Sequence, residues 1–289
     1  MKEINLRAYA KINLGLDVVG RLDNGYHLVS MIMQTIRLFD KLSISVSDEP
    51  GIRVTTNLDY LPTNENNLVY KAAKLMIDEF AIDKGVTIHL EKHIPVAAGL
   101  AGGSSDCAAT LYGMNRLFRL NLSQQELMDR GVTLGADVPY CIMRGTALSE
   151  GIGEKLSRLK PMPDCYIVVA KPPVSVSTKY VYEHIDNEGV DEHPDIKGII
   201  KGLEAGDLRA ITERLANVLE NVTINEHPEI ASIKELMIKE GALNSLMSGS
   251  GPTVFGIFDD KDKADKANKA VYESGLAKRV YTVVPINAN

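Results

Sequence analysis

The run Pro95-Val96-Ala97-Ala98-Gly99-Leu100-Ala101-Gly102-Gly103-Ser104-Ser105 constrains this chain more than any other stretch. Three glycines, two serines and no bulky polar side chain leave the main chain itself as the working surface. Glycine admits φ > 0 and lets a ligand come close to the amides. Before the run, Val86, Ile88 and Leu90 alternate with Thr87, His89 and Glu91, the period of a half-buried strand. After it, Cys107, Leu111, Met114 and Phe118 recur along one helix face, with Ser104, Ser105 or Asp106 as candidate caps. A helix that starts at the end of such a loop offers free N–H groups and a positive dipole end, which suits phosphate. A flexible turn would account for the glycines but not for paired serines at a helix start. Two familiar phosphate loops are excluded. No Lys-Ser/Thr follows the glycines, and Gly99-x-x-Gly102-Gly103 is not the dinucleotide spacing.

The rest of the chain sets limits on what such a loop serves. At 289 residues it holds one large domain or two ordinary ones. A net charge of −6 argues against a general nucleic-acid binder. An acidic protein that binds a polyanion must concentrate positive potential locally, through amides and a few lysines. Cys107, Cys141 and Cys165 are scattered among apolar neighbours with no Cys-x-x-Cys, which predicts reduced core thiols. No apolar run reaches the roughly 20 residues that span a bilayer, and the first residues lack a signal-peptide core. These features predict a cytoplasmic protein with no nucleic-acid or membrane partner. Small-molecule partners and a monomeric or weakly dimeric state are expected of it, although composition does not decide either.

Ala8, Ala10, Ile12, Leu14, Leu16 and Val18 alternate with polar residues and predict a strand with one buried face. Asp23-Asn24-Gly25 then signals a turn. Apolar stretches over 28–38 and 42–46 extend an antiparallel sheet. Val69, Ala72, Ala73, Met76 and Phe80 predict a helix over 66–80, and Ser123-Gln124-Gln125-Glu126 is a capping box. Met31, Met33, Met76 and Met114 read as core filling. In the second half, strands are predicted at 166–170, 253–258 and 280–284, and helices at 207–219, 229–239 and 261–273. Residues 186–195 read as an exposed loop. This pattern predicts a βαβ-rich α+β second domain, with a boundary near residue 158 in a linker over 155–164.

Lys11 and Asn13 point the same way from the first strand, and alone Lys11 reads as a solvated strand lysine. Asp137 precedes an apolar run by one residue and a proline by two, and alone reads as an N-cap. Ser248-Gly249-Ser250-Gly251-Pro252 alone reads as a hairpin turn, and the lone histidines as structural.

Together they change the picture. The order Ala10-Lys11-Ile12-Asn13-Leu14, Pro95 to Ser105, Gly135-Ala136-Asp137-Val138-Pro139, Gly249-Ser250-Gly251-Pro252 resembles the GHMP kinase superfamily over nearly the whole chain. Asp23-Asn24-Gly25-Tyr26-His27 and Gly99 to Asp106 are similar to its branch that phosphorylates a hydroxyl of a CDP-linked methylerythritol in non-mevalonate isoprenoid synthesis.

The resemblance implies a two-domain α+β fold. Residues 1–158 would form a ribosomal-protein-S5-domain-2-like ATP-binding domain, and 159–289 a ferredoxin-like substrate domain. It implies ATP with Mg2+, the metal held mainly by phosphate and water, with Ser105 as a candidate ligand only. It implies Asp137 as catalytic base with Lys11 beside it. Pro95, Val96, Ala97, Ala98, Gly99, Leu100, Ala101, Gly102, Gly103, Ser104 and Ser105 would wrap the phosphates, with Asn67 near adenine. Tyr26 and His27 would line a cytidine pocket with Tyr182 on the opposite wall, and Asn13 and Thr178 would lie near the substrate. Alanines 97, 98 and 101 stand where other relatives carry more glycines, and Tyr182 where some carry phenylalanine. Another small-alcohol kinase of the superfamily, or a non-catalytic nucleotide-binding homologue, is the alternative. Tyr26, His27 and Tyr182 argue against the first, and intact Lys11 and Asp137 against the second.

Overall fold

The computed structural model describes residues 2–190 and 192–287. In chain order its strands are β1 (Glu3–Arg21), β2 (His27–Ser47), β3 (Ile52–Thr56), β4 (Gly85–Glu91), β5 (Thr146–Gly151), β6 (Lys155–Arg158), β7 (Tyr166–Ala170), β8 (Ala216–Asn217), β9 (Asn244–Met247), β10 (Val254–Phe258) and β11 (Val280–Val283). Its helices are α1 (Leu68–Glu79), α2 (Gly102–Phe118), α3 (Gln124–Leu134), α4 (Val138–Met143), α5 (Thr178–Glu188), α6 (Ile196–Ala205), α7 (Leu208–Thr212), α8 (Glu220–Glu226), α9 (Glu229–Lys239) and α10 (Lys261–Glu273).

The chain divides into two compact units. The first contains residues up to Ala10, Leu38–Val96 and Ala101–Met143. Here β4 pairs antiparallel with β2 (Ile44 opposite Ile88) and parallel with β3 (Val54 opposite Ile88). Helix α2 lies close against the strands because residue 113 is glycine. A Cβ there would sit 2.6 Å from Ile44 Cδ1 and 2.9 Å from Leu6 Cδ1. Ile44, Ile88, Met76, Leu111 and Met114 are fully buried between these layers. Local signals set the helix starts. Asn67 caps α1 by accepting from the Val69 amide, and Ser123 and Glu126 form the predicted capping box on α3.

The second unit contains Lys11–Arg37, Ala97–Leu100 and the chain from Arg144 onward. Here β5 pairs antiparallel with β2 and β6, and β8 runs parallel to β1. A separate four-stranded sheet has the order β11-β7-β10-β9, every pair antiparallel. Its chain order, strand, helices, strand, strand, helix, strand, is the split βαβ of a ferredoxin-like fold, as expected. Every residue of β10 is buried, and Val271, Ile233 and Met237 pack beneath from α10 and α9.

Several expectations need correction. The alternation in β1 does not mark one wet face. Residues 10–17 are all buried, because Lys11, Asn13 and Asp17 find polar partners inside. Residues 28–46 form one continuous strand. The helix expected over 207–219 is only α7; Ala216 and Asn217 are taken by β1 as a parallel neighbour, since tertiary pairing overrides weak helical spacing. Residues 155–158 are β6 rather than linker. The segment read as a loop from 186 is helical to Glu188, and Asp191 lies outside the described residues. The second unit's four-stranded sheet contains no parallel pair.

All three cysteines are reduced and buried. Burial pushes the Cys107 and Cys165 thiols from 9.0 up to about 12. Between pH 9 and about 12 the unfolded chain loses these protons first, so their contribution to stability falls as pH rises through that window. At pH 8 Ellman's reagent is expected to leave the native thiols unmodified and to titrate all three in denaturant; fast labelling of the native protein would contradict this.

Candidate active site

In the first unit, three helix starts come together. The glycine loop ends at Ala101, the N-cap of α2, which is left-handed with φ 53°. Ala97 (φ 49°) and Gly99 (φ 73°), which belong to the second unit, are left-handed too. For the two alanines this costs about 1–2 kcal/mol each, strain of the kind that clusters at ligand sites. No side chain caps α2, contrary to expectation. The Ser105 hydroxyl donates to the Tyr9 carbonyl (2.7 Å) and Asp106 receives the Lys92 ammonium (2.7 Å), so both turn away from the helix end. Helical bonding begins with the Ser105 amide donating to the Ala101 carbonyl (2.9 Å). The amides of 102–104 lie outside the helix ladder, as an anion site requires. Ala98 and Leu100 are buried and anchor the loop, while Val96 is exposed.

Beside this helix end lie the starts of α1 and α4. A Cβ on Gly103 would stand 3.7 Å from Leu68 Cδ1, and one on Gly135 would stand 4.0 Å from Ser104 Oγ. Asn67 therefore flanks the loop. Its side chain is committed to the Val69 amide (2.9 Å) and the Pro62 carbonyl (2.7 Å). Asp137, two residues past Gly135, accepts from the Cys141 amide through its carbonyl (3.1 Å) and stands half-buried at the start of α4.

The second unit gathers the other residues. Lys11 is buried and donates from Nζ to Asn13 Oδ1 (2.8 Å). Its amide donates to the Leu100 carbonyl (3.1 Å). Residues 248–252 do form a hairpin turn between β9 and β10, and that turn packs on the glycine loop. Ser248 Oγ donates to the Gly99 carbonyl (3.0 Å), and Gly249 leaves only 3.5 Å between a Cβ position and Lys11 Nζ. Asn217 Nδ2 holds the turn through the Met247 and Gly249 carbonyls (2.8 Å each). Ser250 meets Thr178 hydroxyl to hydroxyl (2.8 Å) at the first residue of α5.

One turn further along α5, on the same face, Tyr182 stacks on His27 with ring centroids 4.6 Å apart and planes at 29°. These rings touch, so Tyr182 does not form a wall across a gap from His27. A base must therefore stack on an outer face of the pair; Tyr26, next to His27 in the chain, is 58% exposed. His27 Nε2 lies 2.7 Å from Asp186, which also holds Arg21 at 3.0 Å. Asp186 was missed because its polar stretch carries no helical stripe. Lys92 with Asp40 and Asp106 was missed because buried ion pairs leave no local pattern. The glycines flanking Ser250 were the available signal for the turn that meets Gly99.

Two family models match the chain: the GHMP kinases N terminal domain over residues 67–145 and the GHMP kinases C terminal over 199–276. The chain is 57% identical to the 4-diphosphocytidyl-2-C-methyl-D-erythritol kinase of Lachnospira eligens, covering 98% of both chains. It is 50% identical to that of Clostridioides difficile, covering 98% of this chain and 95% of the relative. A crystal structure of 4-(cytidine 5'-diphospho)-2C-methyl-D-erythritol kinase aligns with TM-score 0.84 at 31% identity, over 99% of this chain and 100% of that one. L. major mevalonate kinase in complex with R-mevalonate aligns with TM-score 0.80 over 99% of this chain and 97% of that one; at 18% identity this is a likeness of fold alone. The chain belongs to the GHMP kinases and, within them, to the 4-diphosphocytidyl-2-C-methyl-D-erythritol kinase family.

Proposed function

We propose that the chain moves the γ-phosphoryl group of ATP to a hydroxyl of 4-diphosphocytidyl-2-C-methyl-D-erythritol, giving the 2-phosphate, in non-mevalonate isoprenoid synthesis. The observation that carries this assignment is the uncapped start of α2 with the Gly135–Asp137 segment beside it. Phosphoryl transfer needs in-line positioning and neutralised charge more than covalent help. The amides of the loop and of the α2 start hold the phosphates. Asp137 accepts the proton of the attacking hydroxyl, and Lys11, fixed by Asn13, spreads the charge that develops. Thr178 and Asn13 orient the polyol. His27, held by Asp186, and the rings of Tyr26 and Tyr182 take the cytosine. The chain acts on these small molecules as a monomer or weak homodimer.

Among the described residues no group of His, Cys, Asp and Glu is arranged to hold a metal ion. The Ser105 hydroxyl is buried and bonded to Tyr9. Mg2+ would be carried on ATP oxygens and water, and would there neutralise phosphate charge.

Coupled ADP release should respond to the CDP-linked methylerythritol and not to mevalonate, homoserine or galactose; turnover of one of those instead would overturn the assignment. Tyr182→Ala should raise KM for the cytidyl substrate about tenfold and leave KM for ATP within about twofold. Equal effects on both would remove the stacking role.

A further inference from the structure

Three charged side chains are buried together at the base of the glycine loop. Lys92 follows the last residue of β4, and its ammonium reaches Asp40 Oδ2 and, at 2.7 Å, Asp106 Oδ2. The three side chains are 4%, 0% and 3% exposed. Asp40 comes from β2, next to the Lys41–Glu91 register pair. Its other oxygen accepts from the amides of His93 (2.5 Å) and Ile94 (2.8 Å). Asp40 thus fixes three consecutive residues where the chain enters the loop. Asp106 lies in the first turns of α2, where the chain leaves it. The two ends are pressed together at Gly102, where a Cβ would stand 3.1 Å from Ile94 Cγ2 and 3.2 Å from Lys92 Nζ.

Stability alone does not explain this cluster. Three ionisable groups are taken out of water to form it, and apolar residues of similar volume often serve a core as well. Asp106 Oδ1 is buried without a hydrogen-bond partner, a further cost. Burial pushes the Asp106 carboxyl well above the usual carboxylate range; Lys92 opposes this and Asp40 adds to it. Burial would pull Lys92 down, but the two carboxylates outweigh it and hold its ammonium charged. What the cluster supplies is geometry: one ammonium ties the two ends of a loop whose amides must stay in place.

We propose that Asp40, Lys92 and Asp106 form a buried clasp that closes the base of the glycine loop and positions its amides for the phosphates of ATP. This inference rests on the loop being the phosphate site, and its test separates the two. Lys92→Met should raise KM for ATP about tenfold or more and leave KM for the cytidyl substrate within about twofold. Hydrogen exchange of a peptide spanning 92–106 should accelerate about tenfold, with the remaining peptides unchanged. Asp106→Asn, which can still accept from an intact Lys92, should keep both readouts within about threefold of the wild type. If Lys92→Met does not fold, Asp106→Ala is read in the same two assays.

Gly103→Asp tests the loop by itself. It places a carboxylate on the exposed first turn of α2, where it suits the helix but repels phosphate. If Gly103→Asp raises KM for ATP while the clasp variant shifts neither KM nor exchange, the clasp is refuted and the phosphate loop stands. If Gly103→Asp leaves KM for ATP unchanged, the phosphate role falls. Faster exchange in the clasp variant then supports only the loop-fixing half of the proposal, and unchanged exchange refutes both halves. A fall in Tm with both KM values and exchange unmoved marks a merely structural cluster and overturns the proposal.

Discussion

Asp137→Asn is expected to lower kcat about a thousandfold while KM for ATP stays within about twofold. Removing a general base costs on the order of 10²–10⁴ in rate. The choice of asparagine separates the two roles open to this residue. Asp137 stands at the start of α4, where its carbonyl accepts from the Cys141 amide (3.1 Å). Asparagine caps a helix as well as aspartate does, so an N-cap role survives the substitution and Tm is unchanged. A base role does not survive, because an amide cannot take the alcohol proton at neutral pH. Steady-state ADP release with calorimetric ATP binding checks both halves. A kcat near the wild-type value, with Tm intact, returns Asp137 to a capping residue and removes the proposed proton acceptor.

Gly99→Ala is expected to destabilise the protein by about 2–4 kcal/mol and to weaken ATP binding. Residue 99 has φ +73°, which costs a non-glycine residue about 1 kcal/mol. The new Cβ would stand 2.1 Å from the Ser248 carbonyl oxygen and 3.2 Å from that of Gly251. Both are main-chain atoms and cannot rotate away, so the 248–251 turn must shift, an overpacking cost of about 1–3 kcal/mol. That shift breaks the Ser248 Oγ bond to the Gly99 carbonyl (3.0 Å) and disturbs the Leu100 carbonyl that takes the Lys11 amide. Thermal melts should show a drop of about 5–10 °C. Gly103→Ala is the control. Its Cβ meets only Leu68 Cδ1 at 3.7 Å, an ordinary contact within a helix, so Tm should hold or rise slightly. Equal melting of the two variants would show that the loop does not bear on the turn.

Much of the fold was legible because its signals are local. β7, α9 and α10 have the bounds that the spacing predicts, and the Ser123 capping box lies where its four residues place it. Periodicity, caps and breakers act over a few residues, and a single chain displays them without its partners. Part of the site was legible for the same reason: the glycine run and the helix after it follow from composition and periodicity. The remaining assignments came from a family resemblance, since Asp137 and Lys11 alone look like a cap and a surface lysine.

The sequence by itself determined a strand, a glycine loop and a helix start, in that order, because each is a property of neighbouring residues; that no side chain caps this helix was decided by the fold. Only the tertiary structure decided which distant residues meet. Asp40 meets Lys92 from 52 residues away, Ser248 meets Gly99 from 149, and Asp186 meets His27 from 159. Such pairs have no sequence period, because a buried charge or hydroxyl is satisfied by whatever group the chain brings to within about 3 Å. For the same reason the polar side of β1 looked solvated until the fold enclosed Lys11, Asn13 and Asp17.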